Sequence, residues 1–318
     1  MHDMSLDENA GCGVEIWAVG GGKGGTGKTF LVSQLAIALA SQDKRVIVID
    51  TDFGGANVHS FFGIKKAPKT IDDFFEKKEP LENLLIETGK KNLELIVGNC
   101  RSIHSGTLNF AVKTKLFRHI RNLNADYILL DLGGGIGNDT IDALLLADRM
   151  IVVAIPEITS VENVFQFVES AFFRKLKLVL EEHGLKDAVK DIWVNKTKYG
   201  IKNAVDLLQY IKENHDDMDA ILGRELINFA FNIVLNKVRN AMEIKEGFSI
   251  RSICIKHIGV DTRYAGYIEY DLQFWKNLSL IRDVSKISVP SSVRKDILII
   301  TENIMRGNQM RITGIKNA

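Results

Sequence analysis

The chain has 318 residues, 46% of them hydrophobic and 25% charged, which supplies a sizeable core and reads as one large α/β domain or two small ones. Its 41 Lys and Arg nearly balance 40 Asp and Glu, for a formal charge of +1; no global field draws the protein onto nucleic acid or anionic lipid, so any such binding must come from a local patch. Cys12, Cys100 and Cys254 form no CxxC pair, which argues against a disulfide framework, a zinc site or a cluster held by one chain, and fits a reducing cytoplasm.

Residues 1–13 carry acids and no apolar run, so the expectation is a short N-terminal tail, neither a signal peptide nor an anchor, ahead of a single domain over 14–318. No uninterrupted apolar stretch nears the roughly 20 residues that span a bilayer. The expected location is cytoplasmic, at most peripheral at the inner face of the cell membrane.

The first strand is VEIWAVG, from Val14. It runs into GGKGGTGKT at Gly21 to Thr29, whose last eight residues satisfy GxxxxGK[ST]. Glycines there let successive N–H groups turn toward phosphate oxygens, and the following helix N-terminus adds its dipole. Gly22, Lys23, Gly24, Gly25, Thr26, Gly27, Lys28, Thr29 and Phe30 are therefore expected to bind a nucleotide, with Lys28 on the β and γ phosphates and Thr29 holding Mg²⁺. Lys23 is a second lysine in the loop. It is either a solvated surface side chain or a cation that reaches a nucleotide held by a second subunit, offsetting charge on the transferring phosphoryl group.

Lys28 to Ala40 is apolar nearly all round and reads as a buried helix. Next come the apolar runs RVIVID (from Arg45), LELIVG (from Leu93), DYILLD (from Asp126) and RMIVVAI (from Arg149), without the polar alternation of a strand that has one wet face. Strands buried on both sides with helices between them predict a doubly wound, mostly parallel α/β sheet with helices on both faces. Asp50 and Asp52 end the second strand, where ligands bind in such sheets, and a carboxylate there can orient water or hold a metal's hydration shell. Asp131 ends YILLD and precedes LGGGIG, the arrangement of an Mg²⁺-binding aspartate followed by a mobile glycine loop.

From about 172 to 228 the text turns charged and helical, which predicts a helical insertion before the strand FNIVLN (from Phe231). Asn236 ends that strand and is either a turn residue or an amide matched to adenine N6 and N7. Basic text at Lys113 to Arg121 and Arg174 to Lys177 offers nonspecific DNA contact, though charge runs on helices are more often solvated faces. Cys254 and His257 read as structural, and Ile297 to Ile300 as helix packed on the sheet in preference to lipid binding.

The segment KGGTGKT resembles the deviant phosphate loop of the family that includes MinD, ParA and the flagellar-number regulator FlhG. Four further blocks follow in that family's order: IDTDFGGANVHSFFG, the stretch from LLDLGGGIG to SVENV, FNIVLNKVR and YAGYIEYD. DTDFGGANVH and PEITSVENVFQF are similar to the MinD and FlhG branch. The resemblance implies a P-loop ATPase that takes ATP and Mg²⁺, leaves ADP, closes as an ATP-dependent homodimer and answers to an activating protein. It implies Lys23 acting across that dimer, Lys28 and Asp52 as catalytic, Thr29, Asp50 and Asp131 around the metal, and Asn236 on adenine, with Tyr270 and Asp271 bordering the base. A common family form, DTGAG, is replaced here by Asp131-Leu132-Gly133-Gly134-Gly135. The other reading kept open is an ATP-coupled metabolic or cofactor-assembly enzyme.

Overall fold

The structure is a computed structural model that describes residues 13–52, 55, 57–98, 110–215, 217–280 and 286–310. In chain order the elements are β1 (Glu15–Gly20), α1 (Lys28–Ala40), β2 (Val46–Asp50), α2 (Val58–Phe61), α3 (Ile71–Glu76), β3 (Ile86–Glu87), β4 (Leu93–Ile96), α4 (Phe110–Arg121), β5 (Tyr127–Asp131), α5 (Asn138–Leu144) and β6 (Arg149–Ala154). Then follow α6 (Ile158–Glu182), α7 (Lys186–Val194), α8 (Ala204–Asn214), α9 (Met218–Leu226), β7 (Ala230–Val238), α10 (Ala241–Ile258), β8 (Asp261–Glu269), α11 (Leu272–Leu280) and α12 (Ser291–Arg306).

One eight-stranded sheet runs in the order β3-β4-β2-β5-β1-β6-β7-β8. Every pairing is parallel except that of β3 with β4. The apolar strand runs have their cause in two cores. Ile16 and Ala18 of β1 enter the core beneath α5, α6 and α10, while Trp17 and Val19 enter the core beneath α1 and α12. Alternate side chains of one strand thus find apolar partners on opposite sides, as a sheet covered on both faces requires.

β2, β5 and β1 lie side by side, with Asp50 level with Asp131 and Asp131 level with Val19. The loops after all three therefore leave from one edge of the sheet, beside the phosphate loop.

Two details depart from the sequence reading. Residue 172 is no element boundary, because α6 continues unbroken to Glu182 and buries Phe172, Leu176, Val179 and Leu180. Its charged residues are the outer side of the same amphipathic helix, and separate helices begin only with α7. The edge strand β8 also goes unannounced in the sequence. Its text DTRYAGYIE mixes polar and apolar residues, yet Tyr264 enters one core and Ala265 and Ile268 the other.

Ile297, Ile300 and Ile304 of α12 are buried in the core shared with α1, while Leu298 and Ile299 are exposed. Among the described residues no helix is long and apolar enough to cross a membrane.

Phe167 of α6 closes the end of β1 so tightly that a Cβ on Gly20 would lie 2.6 Å from its ring. Gly20→Ala should cost about 1–3 kcal/mol by overpacking, and Phe167→Ala about 3–5 kcal/mol by leaving a cavity. Urea denaturation midpoints of the two variants check both values.

Candidate active site

The phosphate loop fills the gap between β1 and α1. Gly27 takes φ 95°, a left-handed conformation open to glycine, and a Cβ there would collide with the Asn236 amide. The tight turn sends the two lysines of the loop in different directions. Lys28 is 8% exposed, and its Nζ donates to the Lys23 carbonyl at 3.2 Å. Burial lowers its pKa, and the charges of Asp131 and then Asp52 oppose that shift. Lys23 points outward, its side chain 47% exposed, with Glu157 at 3.9 Å.

Three carboxylates gather on the same edge, each in a different setting. Asp131 is buried, and its Oδ1 has no hydrogen-bond partner. Its pKa is pushed up to about 8, first by burial and next by the neighbouring charge of Asp50, against a hydrogen bond from the Thr29 side chain. An orphaned carboxylate oxygen next to a hydroxyl is a pair of hard oxygen donors, and this pair fits Mg²⁺ completed by phosphate and water oxygens. Among the described residues no cluster of three or more His, Cys, Asp or Glu is arranged to hold a metal.

Asp50 ends β2 level with Asp131. It is fully buried, and its carboxylate accepts backbone N–H bonds from Asp52 at 3.1 Å, Asn57 at 2.9 Å and Val58 at 3.2 Å. Its oxygens accept from the chain that follows β2, so in the structure it anchors that loop. Burial pushes its pKa up to about 7 against those three donors.

Asp52 is partly exposed, and its carboxylate lies between two loops. Cβ atoms added to Gly55 and Gly133 would each sit 3.3 Å from its oxygens. It is the carboxylate among the three that opens toward solvent beside Lys28.

The glycine loop after β5 leans on the phosphate loop. Gly135 N–H donates to the Gly21 carbonyl at 3.4 Å, and a Cβ on Gly134 would lie 3.3 Å from Gly24 N. The close approach gives Gly134 a spatial reason, while Leu132 is simply buried in the core.

Asn236 is brought to the loop but turned onto protein. It is fully buried; Nδ2 donates to the Thr26 carbonyl at 2.8 Å and Oδ1 accepts Lys237 N–H at 2.9 Å. The amide braces the loop where the resemblance implied a contact to adenine. Phe30 likewise offers its backbone alone to a ligand, since its ring packs 5.5 Å from Phe274 and 5.1 Å from Trp275. Asp271 caps α11 by accepting Phe274 N–H at 2.7 Å, and Tyr270 lies 5.1 Å from the Arg239 guanidinium.

Two participants escape sequence reading. Lys237 takes φ 62°, donates to the Gly25 carbonyl at 3.4 Å and lies over the Trp275 ring at 4.9 Å. Glu157 faces Lys23. Neither spacing nor residue type marks Lys237, because its position depends on a register shift between β7 and β8; Glu157 sits in the PEITSV block without a role legible there.

Elsewhere, Cys254 is buried and its thiol is pushed up to about 12 by burial, which makes it inert. Cys12 and Cys100 lie outside the described residues. Arg174 pairs with Asp142 at 2.7 Å, Lys175 with Glu225 at 2.7 Å and Lys177 with Glu181 at 4.0 Å, so that basic run is matched by acids. In the other run, Arg121 pairs with Asp148 at 3.1 Å.

Residues 14–181 match the family described as ParA, NUBPL iron-transfer P-loop NTPase. The antiactivator FleN of Pseudomonas aeruginosa is 30% identical over 175 residues, 54% of this chain and 59% of that protein. The septum site-determining protein MinD of Helicobacter pylori is 35% identical over 146 residues, 45% of this chain and 53% of that one. The chain thus spans somewhat over half the length of these curated relatives. Among solved structures, MinD of Pyrococcus horikoshii complexed with Mg-ADP superposes with a TM-score of 0.57 at 18% identity, covering 92% of this chain and 96% of that one. At that identity the likeness shows the fold.

Asn236→Ala should weaken nucleotide affinity about tenfold, because the loop loses the bond at Thr26 and a buried carbonyl is left unmet. Titration with a fluorescent ATP analogue measures it.

Proposed function

The chain belongs to the ParA family of P-loop NTPases, and from that premise we propose that it is an ATPase whose ATP-bound form closes as a homodimer and whose slow hydrolysis resets a spatial or regulatory switch. The observation that carries this reading is the division between the two lysines of one loop. Lys28, buried among Asp131, Asp52 and the loop carbonyls, is the cation for the nucleotide of its own subunit. Lys23, half-exposed and pointing away from its own loop, is the cation available to a second copy.

In this mechanism the backbone N–H groups of Gly22 to Thr29 receive the phosphates, and Lys28 neutralises charge on them. Thr29 and Asp131 would hold Mg²⁺, which supplies further positive charge at the phosphates when bound. Asp52 orients the attacking water, its carboxylate standing between the two loops that follow β2 and β5. Lys23 of the facing subunit offsets charge as the phosphoryl group leaves. Asp50 keeps the Asp52 loop in place through its three backbone bonds.

The names of the relatives support a regulatory output: one is an antiactivator and another determines the septum site. Buried, inert Cys254 gives no support to metal carriage. The proposed setting is the cytoplasm, with contact to an activating protein.

Lys23→Ala should lower ATP turnover about a thousandfold while leaving nucleotide affinity within a few-fold, whereas Lys28→Ala should lose binding itself. Phosphate release and ATP-analogue titration separate the two. Asp52→Ala should accumulate an ATP-bound dimer, seen by size-exclusion chromatography with light scattering; a variant that stays monomeric with Mg·ATP contradicts the switch.

A further inference from the structure

We propose that Lys237 is a positioning residue of the phosphate loop and that Trp275 of α11 holds it in place, so that the loop is braced from outside in its phosphate-receiving shape. A loop that turns its N–H groups toward a phosphate turns its carbonyls away from it, and those carbonyls need donors of their own. The end of β7 supplies two, to successive residues. Asn236 Nδ2 donates to the Thr26 carbonyl at 2.8 Å and Lys237 Nζ to the Gly25 carbonyl at 3.4 Å.

Neighbouring side chains of a regular strand point to opposite faces, so an unbroken β7 could not bring both of these to one loop. Lys237 takes φ 62°, and the pairing of β7 with β8 shifts register between Leu235 and Val238. The kink carries the Lys237 side chain over to the loop that Asn236 already meets. A left-handed backbone is unfavourable for lysine and persists where its surroundings over-determine it. A solvated surface lysine has no use for it.

Trp275 supplies the rest of the hold. The Lys237 ammonium lies 4.9 Å from the centre of its ring. Lys237 is half-buried, and the face of an indole attracts a cation that has left part of its water. The same ring packs 5.1 Å from Phe30 at the start of α1, and a Cβ on Gly27 would lie 3.7 Å from it. Asp271 fixes the beginning of α11 by accepting Phe274 N–H at its carboxylate and Trp275 N–H at its carbonyl. The indole thus touches the loop, the helix that follows it and the lysine that grips it.

This inference rests on the phosphate loop receiving a nucleotide, and it adds what keeps the loop ready. The test uses the full chain, with a fluorescent ATP analogue for affinity, phosphate release for turnover and urea denaturation for the fold. Glycine is at ease at φ 62°, so Lys237→Gly should unfold at no lower urea concentration than the wild type. It should nevertheless weaken nucleotide affinity and raise KM about fivefold with kcat unchanged, because the brace acts alike on bound substrate and transition state. Lys237→Arg should return affinity to within about twofold of wild type. Trp275→Leu should repeat the loss, and the double variant should be no worse than the poorer single one, since the two residues act as a unit. Wild-type affinity in Lys237→Gly, no recovery in Lys237→Arg, or additive losses in the double variant overturns the proposal. The two Lys237 variants decide the matter if Trp275→Leu does not fold. A wild-type chain that takes up no ATP analogue overturns the proposed function together with this inference, whereas a binding wild type with an equally binding Lys237→Gly overturns this inference alone.

Discussion

An ammonium group taken out of water must be compensated by the groups around it, and the buried Nζ of Lys28 sets that requirement for the whole nucleotide site. Its compensation comes from the Lys23 carbonyl and from the fields of Asp131 and Asp52. Those carboxylates reach it because β1, β5 and β2 are adjacent, parallel and in register, so that three successive strand ends discharge their loops at one edge. The pair Asp50 and Asp131 is itself held against desolvation, with pKa values raised to about 7 and about 8. A polyphosphate with its cation completes this constellation of charges, which explains why a phosphate loop and strand-end aspartates belong together.

The loops around Lys28 are tied to rigid elements at their bases and left open at their tips. Asp50 fixes the beginning of α2 and the Asp52 turn through backbone donors, Asn236 and Lys237 grip the carbonyls of Thr26 and Gly25, and Gly134 allows the β5 loop to rest on Gly24. A group added at the centre of these contacts acts on all three loops at once, which is how the proposed switch would read the terminal phosphate. Lys23 lies outside this grip. Its exposed ammonium, facing Glu157 across 3.9 Å, is held weakly, since ion pairs that wet contribute little.

Much of the scaffold was legible in the sequence because burial on both faces leaves unbroken apolar text, as in VIVID and YILLD, and because a glycine loop ending in Lys and Thr has few other uses. The strand-end position of Asp131 and the contrast between Lys23 and Lys28 could be read for the same reason. What could not be read were hydrogen-bond partners. Asp50 and Asn236 were recognisable as polar residues at strand ends, but the donors and acceptors they meet are backbone groups of Asn57, Val58 and Thr26, which carry no side-chain signal. β8 was hidden by its polar text, and the true end of α6 by the charged outer side of an amphipathic helix. Lys237 depends on a register shift between strands that no local pattern encodes.

The central claim, that the outward lysine of one subunit serves the site of another, is tested most directly by mixing two inactive variants. Lys23→Ala keeps Asp52 but lacks the donated cation, and Asp52→Ala keeps the cation but lacks its own water-orienting carboxylate. In a mixed two-fold dimer one of the two sites is then complete, so an equimolar mixture should recover about a quarter of the wild-type turnover per subunit. A mixture no more active than the sum of its parts would contradict the account.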